Sequence, residues 1–387
     1  MLILVTVSRN TPGSGEPQRS RNWSTPSQAP IEAGIIARRL PRTVYLGGPI
    51  LRNPEITTVT FDGEAPSLVT RLETFGDIIT RTSWWREVVD DYCLGPDDCI
   101  GDGRAGYHVR LDKKLPSEIR DLDIEHLLAE EARAGGALSL VGREAIVLVY
   151  LPAKVILRDA FHPRYCSGGP RAYHRTLRLE HISFVYAVLP RCGDEAELTS
   201  VASHEILEAT TNPDPQDRGF AIEPIVDNLG FTIAGPEPVD PCGLLTMDRH
   251  RANEGGFVVQ RAWSNRAARG GHDPCVPSLS ASPYLALVPH TPIVHLTFEG
   301  ATAKIKLQAA SDRAVRDWAV SAVDFTGKQE GRRYVHAKLD RTRVEAGDVA
   351  VLIMRAVKLH PRRISIVGAV SRLGAHSHMW PIVVSMR

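Results

Sequence analysis

The chain has 387 residues, of which 43% are hydrophobic and 24% are charged. This length allows a sizeable core and suggests two domains, at about 100–200 residues each. The 46 lysines and arginines nearly cancel the 45 aspartates and glutamates, and no basic run is interleaved with aromatic residues. The sequence therefore predicts no nucleic-acid surface, and no transmembrane segment, because no stretch approaches the roughly 20 apolar residues that one requires.

Residues 1–41 are expected to be a disordered leader or the remnant of a signal peptide. The first seven residues are apolar, but they are few and no basic segment precedes them, so they make a poor signal peptide as they stand. The residues that follow are rich in Ser, Pro, Arg and Asn, a composition typical of disorder. We expect ordered structure to begin near Thr43.

The middle of the chain alternates predicted strands with predicted helices. Runs of β-formers predict strands over residues 55–61, 145–151 and 181–189, the last two being apolar enough for burial on both faces. Periodicity and capping signals predict helices over residues 66–80, 83–92, 123–134 and 198–209. Asp123 is the expected N-cap of the third helix. This alternation indicates an α/β (α+β) domain over residues 42–278.

The character of the sequence changes after Pro277. Short alternating runs separated by turns predict strands over residues 294–298, 303–307, 318–323, 349–353 and 364–367. Five such strands in about 100 residues indicate an all-β sandwich. We place this second domain at residues 284–387.

The six cysteines form an even set. Their arrangement suits three local pairs, although six cysteines allow 15 pairings: Cys93 with Cys99, Cys166 with Cys192, and Cys242 with Cys275. No C-x-x-C pair is present, so a cysteine zinc site or a redox dithiol is not predicted. Because disulfides persist in oxidising compartments, we expect a secreted or extracytoplasmic protein in spite of the weak leader.

The segment that indicates chemistry is residues 203–213, Ser-His-Glu-Ile-Leu-Glu-Ala-Thr-Thr-Asn-Pro. Residues four apart share a helix face, so His204 and Glu208 can bind one metal ion. Glu205 lies one step round, where its carboxylate can act as a general base. This is the spacing of the H-E-x-x-H metallopeptidase helix with Glu in place of the second His, and both ligand types bind zinc at similar distances. The alternative is a solvated helix that happens to carry acids.

This helix stands among other short motifs, found at residues 47–51, 84–93, 186–192, 240–242 and 259–265. Taken in order over roughly residues 45–277, they resemble the EXORDIUM / phosphate-induced-protein family and its bacterial relatives. The resemblance implies a secreted protein with a zincin-like core. Within it, His204, Glu205 and Glu208 match the metal helix, and Asp240 matches the acid before a cysteine. Asn212 stands where the family usually has Asp, and the C-terminal sandwich has no counterpart in the resemblance.

A catalytic zinc usually takes three protein ligands. We expect Asp240 to join His204 and Glu208, because a disulfide at Cys242 would fix its backbone close to the site. Two carboxylates and one imidazole favour harder ions more than a His-rich set does. Zinc is the expected metal, and calcium or an empty site are the alternatives.

Several other residues have simpler explanations. His174 and His181 flank the strand before the metal helix and are candidates for partners of the ligands. His162, His250 and His272 are expected in solvated loops, and His376 and His378 in a surface turn. Trp263 is expected in the core, where aromatic side chains dominate, and Asn212-Pro213 is expected to end the helix.

These features predict a secreted metal-dependent peptidase-like protein, in which a metal-activated water attacks a peptide carbonyl of a protein or peptide substrate. The alternative is a non-catalytic extracellular protein with a structural or absent metal, whose sandwich binds an extracellular partner. A Ser-His-Asp hydrolase is disfavoured, because the chain contains no G-x-S-x-G elbow.

Overall fold

The computed structural model describes residues 31–96, 98–160, 162, 164–166, 170–245, 251–278 and 283–386. In the N-terminal part, up to residue 278, the α-helices are α1 (Ile31–Arg39), α2 (Pro66–Ile78), α3 (Ser83–Val89), α4 (Asp121–Arg133), α5 (Glu195–Thr211), α6 (Leu229–Ala234), α7 (Asp240–Leu245) and α8 (Asn265–Arg269). The strands of this part are β1 (Thr43–Tyr45), β2 (Glu55–Phe61), β3 (Cys93–Gly95), β4 (Asp98–Cys99), β5 (Arg104–Leu111), β6 (Glu118–Arg120), β7 (Ala145–Tyr150), β8 (Ile156–Arg158), β9 (Tyr173–Arg178), β10 (Ser183–Leu189), β11 (Phe220–Ile222), β12 (Arg251–Glu254), β13 (Phe257–Gln260), β14 (Ala262–Trp263) and β15 (Cys275–Val276).

A five-stranded sheet in the order β5-β2-β7-β10-β9 forms the centre of this part. Its strands are parallel except β9, which runs antiparallel to β10 at one edge. The central strand β7 is buried along its whole length, as its continuous apolar run predicts. Ile146 and Leu148 face the core shared with α2, α3 and α5, whereas Val147 and Val149 face the core shared with α4. The sheet is therefore covered by helices on both faces.

The C-terminal part contains α9 (Phe325–Gln329) and strands β16 (Leu285–Pro289), β17 (Ile293–His295), β18 (Thr302–Ser311), β19 (Trp318–Asp324), β20 (Val335–Leu339), β21 (Arg343–Val344), β22 (Val349–Ala356), β23 (Ile364–Leu373) and β24 (His376–Ser385). The strands form two sheets, β16-β18-β22-β20 and β17-β24-β23-β19-β21. Side chains of both sheets share one hydrophobic core. The chain thus combines an α+β body with the expected C-terminal β-sandwich.

The two parts pack on each other through aromatic side chains. Phe231 of α6 lies between Trp263, with ring centroids 6.0 Å apart, and Trp380 of β24, with ring centroids 5.5 Å apart. The core of the sandwich also includes Ile36 and Leu40 from α1 and the residue after it. Trp263 is fully buried, which confirms its predicted place in the core.

The structure corrects the predicted leader and the predicted N-cap of α4. The expected leader reached residue 41, but α1 already begins at Ile31, because its apolar residues have the sandwich to pack against; residues 1–30 lie outside the described part. Asp123 does not cap α4. The helix begins two residues earlier, and Asp123 occupies its third position, where the carboxylate accepts a hydrogen bond from the backbone N–H of Arg120.

All three predicted disulfides are present: Cys93–Cys99, Cys166–Cys192 and Cys242–Cys275. Such bonds are typical of oxidising compartments. In the described part of the chain, no helix is long and apolar enough to cross a membrane.

Replacing the third disulfide by Cys242→Ala/Cys275→Ala is expected to lower the free energy of unfolding by about 2–5 kcal/mol, the usual cost of losing a native disulfide. Both cysteines are fully buried, and the bond joins residues 33 positions apart. The control Cys93→Ala/Cys99→Ala opens a bond between residues only six positions apart, so the chain-entropy contribution is smaller. Denaturant unfolding measures both losses, and an equal loss in the two variants would contradict this ranking.

Candidate metal centre and cleft

Helix α5 carries the predicted reactive residues and follows directly after β10. The Asp194 side chain caps it by accepting a hydrogen bond from the backbone N–H of Glu197 at 2.9 Å. Acidic residues in the first turn complement the positive end of the helix dipole. The helix ends at Thr211, and Pro213 prevents its continuation. It is longer than the predicted 198–209 at both ends.

The three predicted metal ligands come together in the structure. The Nε2 atom of His204 lies 3.0 Å from Oε2 of Glu208 and 3.8 Å from Oδ1 of Asp240. One ligand atom from each residue lies within 4.8 Å of the others. Zinc bonds of about 2.0–2.2 Å at a tetrahedral angle place ligand atoms roughly 3.3–3.6 Å apart. The spacing of the three donors therefore suits a single ion.

Asp240 reaches the site from outside α5. It is the first residue of α7, and two positions later Cys242 is linked to Cys275. The backbone also approaches closely here, because a Cβ atom at Gly235 would lie only 2.2 Å from Cβ of Asp240. The disulfide and the glycine together fix the position of this carboxylate.

The acidic side chains around His204 carry more negative charge than this one imidazole can neutralise. Burial raises the pKa of Glu208 well above its ordinary value, and the charges of Glu237 and Asp240 raise it further, while His204 opposes them. Burial likewise raises the pKa of Asp240, to about 6, with the charge of Glu237 adding to this effect and His204 opposing it. Burial alone would lower the pKa of His204, but Glu208 and the other acids raise it well above its usual range. A bound cation would take the place of the protons that the raised pKa values assign to His204, Glu208 and Asp240.

One atom supports this interpretation directly. Oε1 of Glu208 is buried and has no hydrogen-bond partner, although leaving a buried polar atom unpaired costs about 1–3 kcal/mol, and more for a charged group. The residue is only 4% exposed. A metal ligand atom is a physical role that explains such an unpaired oxygen, so the residues present fit a metal ion.

Sequence reasoning missed Glu237, three positions before Asp240. It lines the same cleft, and its Oε1 atom is also buried without a hydrogen-bond partner. Its charge raises the pKa of both Glu208 and Asp240. In the sequence, the only indication of a role for Glu237 was its closeness to Asp240 in residues 235–242. Its place at the site becomes evident only when this segment folds against α5.

Glu205, the predicted general base, lies beside the metal residues and is 4% exposed. Its Oε2 atom lies 3.1 Å from Nδ1 of His174 on β9. Burial alone would lower the pKa of His174, but the hydrogen bond and charge of Glu205 raise it to about 9. His174 is thus a hydrogen-bond partner of the predicted base. His181, the other candidate, has a side chain that is 92% exposed.

Asn212 has a structural role in this protein. Its side-chain oxygen accepts a hydrogen bond from the backbone N–H of Phe220 at 3.0 Å, and its backbone carbonyl lies 2.9 Å from Nε2 of His174. It does not line the cleft. An amide at this position therefore supports the end of α5, where the resembled family usually has a carboxylate.

The remaining histidines are distributed differently from the predictions. His376 and His378 lie in β24, and His378 is buried, because the sandwich contains a strand here where we expected a surface turn. His162 hydrogen-bonds Asp159 and lines the cleft. His272 contacts Asp312 with a largely exposed side chain. His250 lies outside the described residues.

The predicted metal ligands line a cleft of about 1010 Å³. His204, Glu205, Glu208, Glu237 and Asp240 all line it. Every residue of the edge strand β9 except Leu177 also lines it. The cleft therefore lies between the helix that carries the reactive residues and the exposed edge of the sheet.

No family model matches the chain, and no curated protein matches it in sequence. Solved structures with some similarity include a Bacteroides ovatus GH5 xyloglucanase in complex with a heptasaccharide, a chimeric titin Z1Z2 and the titin M3 domain, at 12%, 17% and 10% identity. Each has a TM-score of 0.18, and they cover 27%, 28% and 27% of this chain and 19%, 95% and 96% of their own. Similarities this weak carry no argument, and the resemblance to the EXORDIUM family stays a prediction.

The geometry predicts that purified protein reconstituted with zinc holds about one ion per chain, as expected for a single site. His204→Ala and Asp240→Ala should each weaken metal affinity by at least about 10-fold, since even the outer-shell partners of a metal site contribute 10–100-fold. Elemental analysis and competition with a chelator measure both quantities.

His336→Ala is the matched control for this experiment, because His336 is exposed on β20 of the sandwich. Its metal affinity should equal that of the wild type. Absence of bound metal after reconstitution would contradict the site.

Proposed function

We propose that this protein is a secreted, metal-dependent hydrolase of peptides. The observation that carries the proposal is the convergence of His204, Glu208 and Asp240 next to the carboxylate of Glu205 in a large cleft. A metal site with an adjacent carboxylate at H-E-x-x spacing is the arrangement that metallopeptidases use. A zincin-like core is part of this proposal.

His204, Glu208 and Asp240 would hold the metal, with zinc as the expected ion and calcium as the alternative. When bound, the ion would supply Lewis acidity that polarises a carbonyl oxygen and acidifies a bound water. Glu205 would accept a proton from the attacking water and return it to the leaving amine, since a general acid–base must lie within hydrogen-bond reach of the proton that it transfers.

The walls of the cleft support an extended peptide as substrate. Strand β9 forms one edge of the central sheet, so one side of its backbone has no neighbour among the described strands. Extended peptides bind such edges by adding a strand, with main-chain hydrogen bonds supplying affinity. The cleft volume of about 1010 Å³ is at the upper end of the range of 300–1,000 Å³ that is usual for small-molecule pockets.

The alternative function is that of a non-catalytic extracellular protein with a structural metal. It is supported by Glu237, whose Oε1 atom is buried and unpaired. To become a fourth ligand this carboxylate would have to move closer, because Glu237 is not in the 4.8 Å group that His204, Glu208 and Asp240 form. Structural zinc sites have four protein ligands, whereas catalytic sites leave one position open. Bound metal in the wild type together with no cleavage in a broad peptide library would favour this alternative.

The substitution Glu205→Gln separates catalysis from architecture. Gln keeps the shape of Glu but cannot accept the proton, so hydrolysis of a peptide library should fall by roughly 10²-fold or more, the usual effect of losing an acid–base group. Metal content and thermal stability should stay close to those of the wild type. Steady-state cleavage rates and elemental analysis provide the measurements.

Glu208→Gln is the matched comparison one helical turn away. It removes a charged ligand and should lose metal as well as activity. Cleavage by Glu205→Gln at the wild-type rate would exclude Glu205 as the base.

A further inference from the structure

We propose that His174 is a positioning residue, which fixes the carboxylate of Glu205 with one oxygen anchored and the other presented to the cleft. The inference deepens the proposed function and rests on it for the role of Glu205. It concerns a residue of the edge strand β9, far from α5 in the sequence, to which no motif assigns a role.

The contacts of His174 determine which atoms donate. Its side chain is only 4% exposed, and Nε2 lies 2.9 Å from the backbone carbonyl oxygen of Asn212. A carbonyl oxygen only accepts hydrogen bonds, so Nε2 must donate. Nδ1 lies 3.1 Å from Oε2 of Glu205, and an ionised carboxylate also only accepts. The ring is therefore held at both nitrogens and cannot rotate without losing a buried hydrogen bond.

The acceptor at the far side of the ring is itself fixed. The backbone N–H of Asn212 donates to the carbonyl oxygen of Glu208 at 2.6 Å, and its side-chain oxygen accepts from the backbone N–H of Phe220. His174 thus connects β9 to the C-terminal end of α5. The edge that would bind a peptide and the helix that carries the base are joined through one imidazole ring.

The two carboxylate oxygens of Glu205 consequently differ in their hydrogen bonding. Oε2 is anchored by His174, whereas no hydrogen bond from a described residue reaches Oε1, and Glu205 lines the cleft. A carboxylate with one fixed oxygen has a defined orientation for the other, and a misplacement of about 1 Å can cost as much as 10²-fold in rate. The free oxygen is the one that would take the proton.

A second cation could also join these side chains, because ligand atoms of His174, Glu205 and Glu208 lie within 4.8 Å of one another. We favour the hydrogen bond, since the 3.1 Å separation needs only one hydrogen atom between Nδ1 and Oε2. The experiment below distinguishes the two alternatives by metal content.

The test uses two isosteric substitutions in the full chain reconstituted with zinc. The side-chain amide nitrogen of Gln matches Nε2 of His, so His174→Gln can keep the bond to Asn212 and lose the bond to Glu205. The amide nitrogen of Asn matches Nδ1, so His174→Asn can keep the bond to Glu205. We expect kcat to fall about 10-fold or more in His174→Gln with KM and metal content unchanged, and expect His174→Asn to retain most of kcat.

A readout without activity is the NMR spectrum of metal-free protein carrying ¹⁵N-labelled histidine rings, with His174 identified by its loss in His174→Gln. The wild type should show N–H signals from both ring nitrogens of His174, and Glu205→Leu, which has no hydrogen-bond acceptor, should remove one. Two unchanged signals in Glu205→Leu would overturn the proposed contact, whether or not the protein cleaves peptides.

The other outcomes are equally decisive. Equal kcat in the wild type and His174→Gln would overturn the positioning role while leaving the proposed function intact. Loss of one of two bound metal ions in His174→Gln would overturn the role in favour of a second cation. An inactive wild type with the expected NMR signals would refute the hydrolase function and, with it, the role of His174 in catalysis.

Discussion

The burial of acidic side chains on α5 is the constraint on which the rest of the site depends. Ionised carboxylates are costly to bury unless a partner compensates them. Glu205 and Glu208 each have an imidazole partner within about hydrogen-bond distance, His174 at 3.1 Å and His204 at 3.0 Å. The two pairs are not equivalent. Both ring nitrogens of His174 have protein acceptors, whereas His204 faces Asp240 in addition to Glu208, so excess negative charge collects on the side of the cleft where the metal is proposed.

The fold explains why these groups meet. Helix α5 begins only six residues after the end of β10, so it must pack back against the sheet that β10 belongs to. Strand β9 is the antiparallel neighbour of β10, and it therefore lies beside the same helix at the edge of the sheet. The side chain of His174 contacts α5, since strand side chains point to the faces of the sheet, while β9 as a whole lies at the sheet edge and contributes to the wall of the cleft.

The sequence predicted the local parts of this arrangement better than the nonlocal ones. The spacing of His204 and Glu208 follows from helix periodicity alone, and Asp240 could be inferred from its proximity to Cys242. Glu237 could not be identified, because its significance arises only when the loop before α7 reaches α5. Asp123 was assigned the wrong place in its helix because acidic residues are favoured both at the N-cap and in the first turn; here its carboxylate accepts from the backbone N–H of the N-cap residue Arg120. His378 was misplaced because β24 has no strong strand signal around its histidines.

The sandwich contributes to the geometry of the site, although none of its described residues lines the cleft. Helix α6 precedes the loop with Glu237, and α7 begins at Asp240. Both helices contact β24. The approach is close, since a Cβ atom at Gly230 would lie 2.6 Å from the carbonyl oxygen of Pro381, and Phe231 is held between Trp263 and Trp380. His204 and Glu208 are positioned by one helix, but Asp240 is positioned by the contact between the two parts of the chain. Asp240 is therefore the proposed ligand that depends most on the docking of the sandwich.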